Sequence, residues 1–124
     1  FITIEKIKSC GLKVGLSFKP KTDINNIIPY LKKIDLCLVM SVEPGFGGQS
    51  FMEDSIGKIQ KLRSYIDENN LSCLIEVDGG IKDHNLKKVI DAGVDVVVSG
   101  SDIFAHKENS IIEQVNQYYD IINK

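Results

Sequence analysis

Four short apolar segments alternate with longer segments of helical periodicity, and this alternation restricts the chain to α/β folds. The strands are predicted over Val14–Ser17, Ile34–Val42, Ser72–Asp78 and Asp95–Ser99. Helices are predicted over Ile2–Cys10, over Glu53–Glu68, between a cap at Asp83 and a stop at Gly93, and over Ser110–Ile122. Near-continuous apolar strands separated by helices are typical of a parallel sheet with covered faces.

Chain length favours one architecture within this class. A (βα)8 TIM barrel of about 250 residues uses about 31 residues per unit, so 124 residues correspond to about four units. We therefore expect residues 1–124 to form a single segment, the last four βα units of such a barrel. A small open, doubly wound sheet has the same periodicity and stays open as an alternative.

The buried faces of three of the helical segments are predicted from the spacing of their apolar residues. The segment after Thr22 or Asp23, either of which can cap it, should bury Ile24, Ile27, Ile28 and Leu31. Pro29 in that segment indicates either a kink or a later helix start. The buried stripes of the longer helices are predicted at Ile56, Ile59, Leu62 and Ile66, and at Ile111, Val115, Tyr118 and Ile122.

Composition excludes several classes of partner. A net charge of −2 and a pI near 5.7 give no electrostatic reason to expect nucleic acid or a membrane surface. No apolar run approaches the roughly 20 residues that span a bilayer. The three cysteines, Cys10, Cys37 and Cys73, are odd in number and lie in apolar stretches, which predicts buried free thiols in the cytoplasm.

Three of the predicted strands end in glycine-rich sequence. These ends read VEPGFGGQ, Asp78-Gly79-Gly80 and Ser99-Gly100-Ser101. In parallel α/β folds, ligands bind at the carboxyl ends of strands, where bare backbone N–H groups can hold a phosphate. The alternative is that these glycines only allow tight turns.

Asp78 is the candidate acid or base, because strand alternation places it with Glu76 on the inward side of a barrel. The alternative is a carboxylate that satisfies turn amides, and Glu76 is predicted to be a buried hydrogen-bonding partner. Met40 would form an apolar pocket floor or pack in the core. His84 and His106 have no second ligand at metal spacing and are predicted to be surface residues.

The segments VMSVEPGFGGQSF, IEVDGGI and VVSGSDIF, in that order, closely resemble the carboxyl-terminal half of ribulose-phosphate 3-epimerase. The earlier segment KVGLSFKPKT resembles the same family, so the resemblance covers essentially the whole chain. It implies a (βα)8 barrel that interconverts D-ribulose 5-phosphate and D-xylulose 5-phosphate in the pentose phosphate pathway. This inversion proceeds by metal-assisted proton transfer at C3 through an enediolate.

The resemblance also implies roles for individual residues. Asp78 would be one of two catalytic aspartates and a ligand of a divalent metal ion, which could be Zn, Fe, Mn or Co. Met40 would line the substrate pocket. The loop over the substrate would contain Gly45, Phe46, Gly47 and Gly48, and the phosphate would bind Gly79, Gly80, Gly100 and Ser101.

The sequence departs from the family in one respect. The family's other aspartate and its metal-binding histidines belong to the first four strands, and nothing here matches them. We therefore predict that this chain alone is inactive and binds no metal tightly. The complete enzyme is expected to act on a sugar phosphate as a cytoplasmic homo-oligomer. Two alternatives remain: a related sugar-phosphate barrel, such as a hexulose-phosphate epimerase or a decarboxylase, and a non-catalytic phosphate-binding half-barrel.

Overall fold

The computed structural model describes residues 1–42 and 50–124 and contains one four-stranded parallel sheet in the order β1-β2-β3-β4. Its strands are β1 (Gly15–Phe18), β2 (Leu36–Met40), β3 (Leu74–Asp78) and β4 (Val96–Val98). The helices are α1 (Ile2–Ser9), α2 (Ser55–Glu68), α3 (Asp83–Ala92), α4 (Ser101–Phe104) and α5 (Ile111–Ile122). Strand order follows chain order without the reversal that defines a doubly wound sheet, so this arrangement is the barrel-like alternative.

The two faces of the sheet have different environments. On one face Cys37, Val39, Ile75 and Val77 are fully buried, and they pack with the buried stripes of α2 and α3. Neighbouring strands are in register, so alternation places Leu38 and Glu76 together on the opposite face. That face is half-buried to exposed, as expected for the interior side of a barrel segment.

The stripe of α2 is confirmed at its centre, where Ile59, Leu62 and Ile66 are buried while Ile56 is partly buried. The stripe predicted for α5 is confirmed at Tyr118 but is wrong at Ile111 and Ile122, and Val115 is half-buried. Ile111 and Ile122 are exposed, whereas Gln114 and Tyr118 are the buried residues of that helix. Gln114 is polar and was therefore not expected inside, but several hydrogen bonds satisfy its amide there.

Pro29 divides its segment into two 3₁₀-helices, Ile24–Asn26 and Ile28–Lys33, in place of one α-helix. Proline has no N–H to donate to the preceding turn and is tolerated only near a helix start, where it lies here. The first of these helices is capped by the Asp23 side chain, which accepts from the N–H of Asn25. The predicted inner residues Ile24, Ile27 and Leu31 are buried, and Ile28 packs against them.

Two aspartates hold the amino ends of the strands by the same contacts. Asp35 precedes β2, donates its N–H to the carbonyl of Val14 at 2.7 Å and accepts the N–H of Val14 at 2.8 Å. Asp95 precedes β4 and makes the same pair of bonds with Ile75, at 2.8 and 2.9 Å. These bonds extend the ladders beyond the strands and fix the register from the end opposite the candidate site.

The remaining predictions concern boundaries and cysteines. β1 is shifted by one residue from its predicted position, and the other three strands are shorter than predicted. The N-cap of α3 is Lys82, so Asp83 lies one position inside the helix. Cys37 and Cys73 are buried free thiols, as predicted, but Cys10 is exposed because it follows the end of α1. No helix in residues 1–42 and 50–124 is long and apolar enough to cross a membrane.

Candidate functional site

Asp78 is the last residue of β3 and is exposed on the sheet face opposite the helices. Its register partners are Met40 on β2 and Val98 on β4. Side chains in register on parallel strands point to the same side of the sheet. The predicted acid or base and the predicted pocket residue therefore lie on neighbouring strands at the carboxyl edge.

Glu76 lies one layer below Asp78 on the same face and is half-buried. Its register partners are Leu38 on β2 and Val96 on β4, so its strand neighbours on this face are apolar. Met40 is also half-buried and borders a cavity of about 450 Å³ at the ends of β1 and β2, together with Ser17 and Lys19.

Ser41 and Gly79 join the ends of β2 and β3. The N–H of Ser41 donates to the carbonyl of Asp78 at 2.9 Å, and its buried hydroxyl donates to the carbonyl of Gly79 at 2.6 Å. Gly79 has a φ of +134°, and a Cβ there would lie 2.8 Å from the Val42 nitrogen. This position therefore requires glycine for packing, whatever ligand binds beside it.

Gly100, the predicted phosphate-binding glycine after β4, has more open surroundings than Gly79. A Cβ added at Gly100 would meet no atom within 4 Å, so the space beside it is open. In the described part of the chain, the N–H groups of Gly79, Gly80 and Gly100 donate to no protein acceptor. Gly100 is exposed and Gly80 is half-buried, so their N–H groups are available to an anion, whereas Gly79 is buried.

Four further predicted site residues, Gly45, Phe46, Gly47 and Gly48, lie outside the described residues. The chain is described again from Ser50, and the N–H of Met52 donates to the carbonyl of Ser41 at 2.8 Å. This bond attaches the segment before α2 to the end of β2.

A buried set of hydrogen bonds, which the sequence did not reveal, lies behind these strand ends. We call it the Asp102 network; its members are Asp102, Ser99, Gln114, Tyr118 and the backbone of residues 81 and 83. One carboxylate oxygen of Asp102, Oδ2, accepts from the Tyr118 hydroxyl at 2.7 Å, the Asp83 N–H at 2.9 Å and the Gln114 amide at 3.0 Å. The four-residue spacing of Gln114 and Tyr118, which places both on one helix face, was the only signal available in the sequence.

His106 differs from its prediction, because its side chain is only 17% exposed. Its Nδ1 accepts the N–H groups of Glu108 and Asn109, at 3.2 and 3.0 Å. Its Nε2 lies 3.4 Å from the carboxylate of Asp83. His84 is exposed at the start of α3, as predicted.

Asp83, Asp102 and His106 offer ligand atoms that all lie within 4.8 Å of one another, which is close enough to share a cation. The hydrogen bonds of the cluster compete with that role. Oδ2 of Asp102 already has three donors, and Oδ2 of Asp83 accepts from Gln114 at 3.1 Å. The pKa of Asp83 is lowered, first by the Gln114 hydrogen bond and also by His106. A cation bound through Oδ2 of either aspartate would have to displace these donors, so we interpret the cluster as a hydrogen-bonded support.

The divalent ion implied by the resemblance would instead bind at Asp78. Within residues 1–42 and 50–124, Asp78 belongs to no group of three or more His, Cys, Asp or Glu side chains that could share a cation. An exposed carboxylate at the sheet edge fits one ligand position of such an ion. This chain therefore fits a part of that site only.

Comparison with known families decides the relationship of this chain. A family model, described as the ribulose-phosphate 3 epimerase family, matches residues 1–104. The chain belongs to the ribulose-phosphate 3-epimerase family. The ribulose-phosphate 3-epimerase of Aquifex aeolicus is 47% identical over 106 residues, and that of Buchnera aphidicola from Schizaphis graminum is 43% identical over 110 residues.

The chain spans about half the length of these curated epimerases. The two matches cover 86% and 89% of this chain but 48% of each relative. The chloroplastic ribulose-5-phosphate-3-epimerase of Arabidopsis thaliana is 45% identical over 106 residues, which are 86% of this chain and 38% of that relative.

Solved structures support the barrel architecture. The 3-hexulose-6-phosphate synthase of Salmonella typhimurium matches with a TM-score of 0.67 and 21% identity. Thiamine phosphate pyrophosphorylase of Pyrococcus furiosus matches with a TM-score of 0.64 and 18% identity. Each match covers 97% of this chain and 54% of the other, and at these identities it shows the fold alone.

Proposed function

We propose that this chain is the phosphate-binding half of an enzyme that interconverts D-ribulose 5-phosphate and D-xylulose 5-phosphate. The observation that carries the proposal is the position of Asp78, exposed at the carboxyl edge of the sheet beside Met40 and followed directly by Gly79 and Gly80. Membership of the ribulose-phosphate 3-epimerase family supports this reaction over other barrel chemistries.

Asp78 would act as one of two acid–base groups at C3 of the sugar. One group takes the C3 proton from one face, and the other group returns a proton to the opposite face. The planar enediolate between these steps loses the original configuration, so the product has the same composition with C3 inverted. The second group is outside this sequence.

A divalent cation, Zn, Fe, Mn or Co, would polarise the ketone when bound and so make the C3 proton more acidic. Asp78 would supply one ligand to it, and its other ligands would come from outside this sequence. An exposed carboxylate at this edge supports that role, because it can reach both an ion and a substrate above the sheet.

The substrate phosphate would be held away from the reacting carbon by the backbone of Gly79, Gly80 and Gly100 and by the Ser101 hydroxyl. Their support is the set of unpaired N–H groups and the open space beside Gly100. Met40 would contact the carbon chain of the sugar, and residues 45–48 would cover it and exclude water. We also propose that the enzyme acts in the cytoplasm, for which the three free thiols are the support, and that it is a homo-oligomer.

The test measures epimerisation by the full-length protein, with D-ribulose 5-phosphate and a hexulose phosphate as alternative substrates. We expect conversion of the pentose phosphate to D-xylulose 5-phosphate, seen by NMR, and little conversion of the hexulose phosphate. Preference for the hexulose phosphate, or release of carbon dioxide, would favour the related barrel enzymes. Phosphate binding without turnover of either substrate would favour a non-catalytic module.

A further inference from the structure

The two strand ends that carry the proposed phosphate site are joined behind it by the Asp102 network. On the side of β3, the carbonyl of Ile81 and the N–H of Asp83 take part in the hydrogen bonds of this network. The end of β4 enters through Ser99 and Asp102, which lie on either side of Gly100 and Ser101 in the chain. The bonds therefore connect residues that flank both backbone segments of the proposed phosphate site.

Helix α5 supplies the central members of this network. The Tyr118 hydroxyl lies 2.7 Å from Asp102 Oδ2 and 2.8 Å from the Ser99 hydroxyl, so one phenol connects both flanks of Gly100 and Ser101. The Ser99 hydroxyl also lies 3.3 Å from the carbonyl of Ile81 on the other strand end. Tyr118 is 8% exposed and Asp102 is 9% exposed, so the bond between them is shielded from water, whereas the bonds of Ser99 are half-buried.

The direction of the hydrogen bonds follows from the chemistry of the groups. Burial is the main cause that raises the pKa of Tyr118, so the phenol keeps its proton and donates to Asp102. Gln114 is fully buried and donates its amide to both Asp102 and Asp83, and its own oxygen accepts from Asn109. Each bond in such a buried chain strengthens its neighbours, which makes the arrangement rigid.

We propose that Tyr118 and Ser99 are positioning residues, which set the spacing of the two backbone segments that bind the substrate phosphate. Backbone N–H groups cannot adjust by rotamer changes, so the position of each segment decides whether its N–H groups reach the same phosphate. A misplacement of about 1 Å can cost binding and rate disproportionately. This inference rests on the proposed phosphate site but does not require a particular reaction at C3.

The test compares Tyr118→Phe and Ser99→Ala with the wild type in the full-length protein. We expect the KM for D-ribulose 5-phosphate and the inhibition constant of inorganic phosphate to rise together by roughly three- to tenfold in each variant, the size expected for loss of one hydrogen bond. We expect kcat to stay within about twofold, because neither side chain touches the reacting carbon.

The control is Asp95→Asn, which weakens the hydrogen bonds at the opposite end of β4. It should lower the melting temperature without changing either constant. The inference is overturned if the network variants lower the melting temperature in the same way and leave both constants unchanged, or if only kcat falls. Should Tyr118→Phe fail to fold, Ser99→Ala decides, because it removes one hydroxyl.

Failure of the proposed function has a different signature. If the wild type binds inorganic phosphate but does not epimerise the sugar, the reaction is wrong, and calorimetric phosphate affinities of the same variants still decide the inference. If the wild type neither turns over the sugar nor binds phosphate, both the proposed phosphate site and this inference are contradicted.

Discussion

Gly79 and Gly100 occupy comparable positions after neighbouring strands but meet different constraints. Gly79 combines a φ of +134° with backbone and side-chain atoms where a Cβ would lie, so packing explains it fully. Gly100 has open space beside it and a negative φ, so packing does not explain it. The close approach of a ligand to the backbone, as proposed above, would be a physical reason for glycine at Gly100.

This difference gives a prediction for alanine substitutions in the full-length protein. Gly100→Ala should leave the melting temperature nearly unchanged and raise the KM for the sugar phosphate, because the methyl group enters the space of the phosphate. Gly79→Ala should lower the melting temperature, because the backbone must move. Thermal unfolding and steady-state kinetics check both; an unchanged KM in Gly100→Ala would contradict a phosphate at this position.

The cysteines provide a second prediction at the residue scale. Burial raises the pKa of Cys37 to about 12 and that of Cys73 to about 11, so both thiols stay protonated at neutral pH. The thiolate is the reactive form, and Cys10 is exposed. We expect an alkylating reagent to label Cys10 in the folded protein and the other two only after unfolding, as mass spectrometry of peptides would show. Equal labelling of all three in native buffer would contradict the described core.

At the scale of elements, hydrophobic periodicity predicted β2, β3, α2 and α3 because each has one apolar side that must be buried. For α5 it predicted Tyr118 correctly, but a hydrogen-bonded glutamine lies inside and the predicted Ile111 and Ile122 are exposed. Burial of a polar side chain depends on partners that are distant in sequence, here Asp83 and Asp102. A single sequence does not contain that information.

One part of the candidate site was also predictable from the sequence, and another part was not. Strand alternation was sufficient to predict the face of Asp78 and Met40, because it depends only on local geometry. The Asp102 network was not predicted, since it joins α3, α4 and α5 through side chains separated by up to 37 residues. Hydrophobic periodicity also missed α4, which has only four residues and no stripe of its own.

The junction between α3 and α5 should make stability depend on acid pH. The pKa of Asp83 is lowered from 3.8 by the Gln114 hydrogen bond, with contributions from His106 and His84. The folded protein therefore binds fewer protons than the unfolded chain, so this contribution is present above pH 3.8 and is lost as pH falls through the folded pKa.

Urea unfolding of the full-length protein and of Asp83→Asn checks this sign. The variant should be less stable well above pH 3.8, and the difference should shrink as the pH falls below 3.8 through the lowered pKa of the folded protein, where the wild-type carboxylate becomes protonated. Asp91→Asn, which affects only an exposed ion pair with Lys87, is the matched control. A difference that is constant or larger at low pH would contradict the assignment.

At the scale of the whole molecule, the described strands form a continuous sheet with one covered face and one open face. Leu74 and Val98 are 46% and 38% exposed on the open face, the side that is interior in a closed barrel. Asp78 and Met40 lie on this face, so the candidate site is bounded by this chain on one side only. Under the proposed function, the second acid–base group and the remaining metal ligands would lie on the opposite side of a closed barrel.

We therefore predict that the purified 124-residue chain does not epimerise D-ribulose 5-phosphate, with or without added divalent metal. Under the proposed mechanism, its own residues would provide one carboxylate where the reaction needs two, and one ligand of the metal site. A coupled assay for D-xylulose 5-phosphate, with the full-length protein as the positive control, measures this. Turnover by the isolated chain at a rate similar to that of the full-length protein would contradict the prediction.

The central claim is that Asp78 transfers the proton at C3, and deuterium exchange tests it most directly. The full-length wild type, incubated with D-ribulose 5-phosphate in D2O, should incorporate deuterium at C3 as D-xylulose 5-phosphate forms. Asp78→Asn should lose interconversion by roughly 10²- to 10⁴-fold or more while its circular dichroism and melting curve stay close to the wild type. Near-normal interconversion with deuterium incorporation in Asp78→Asn would contradict the account.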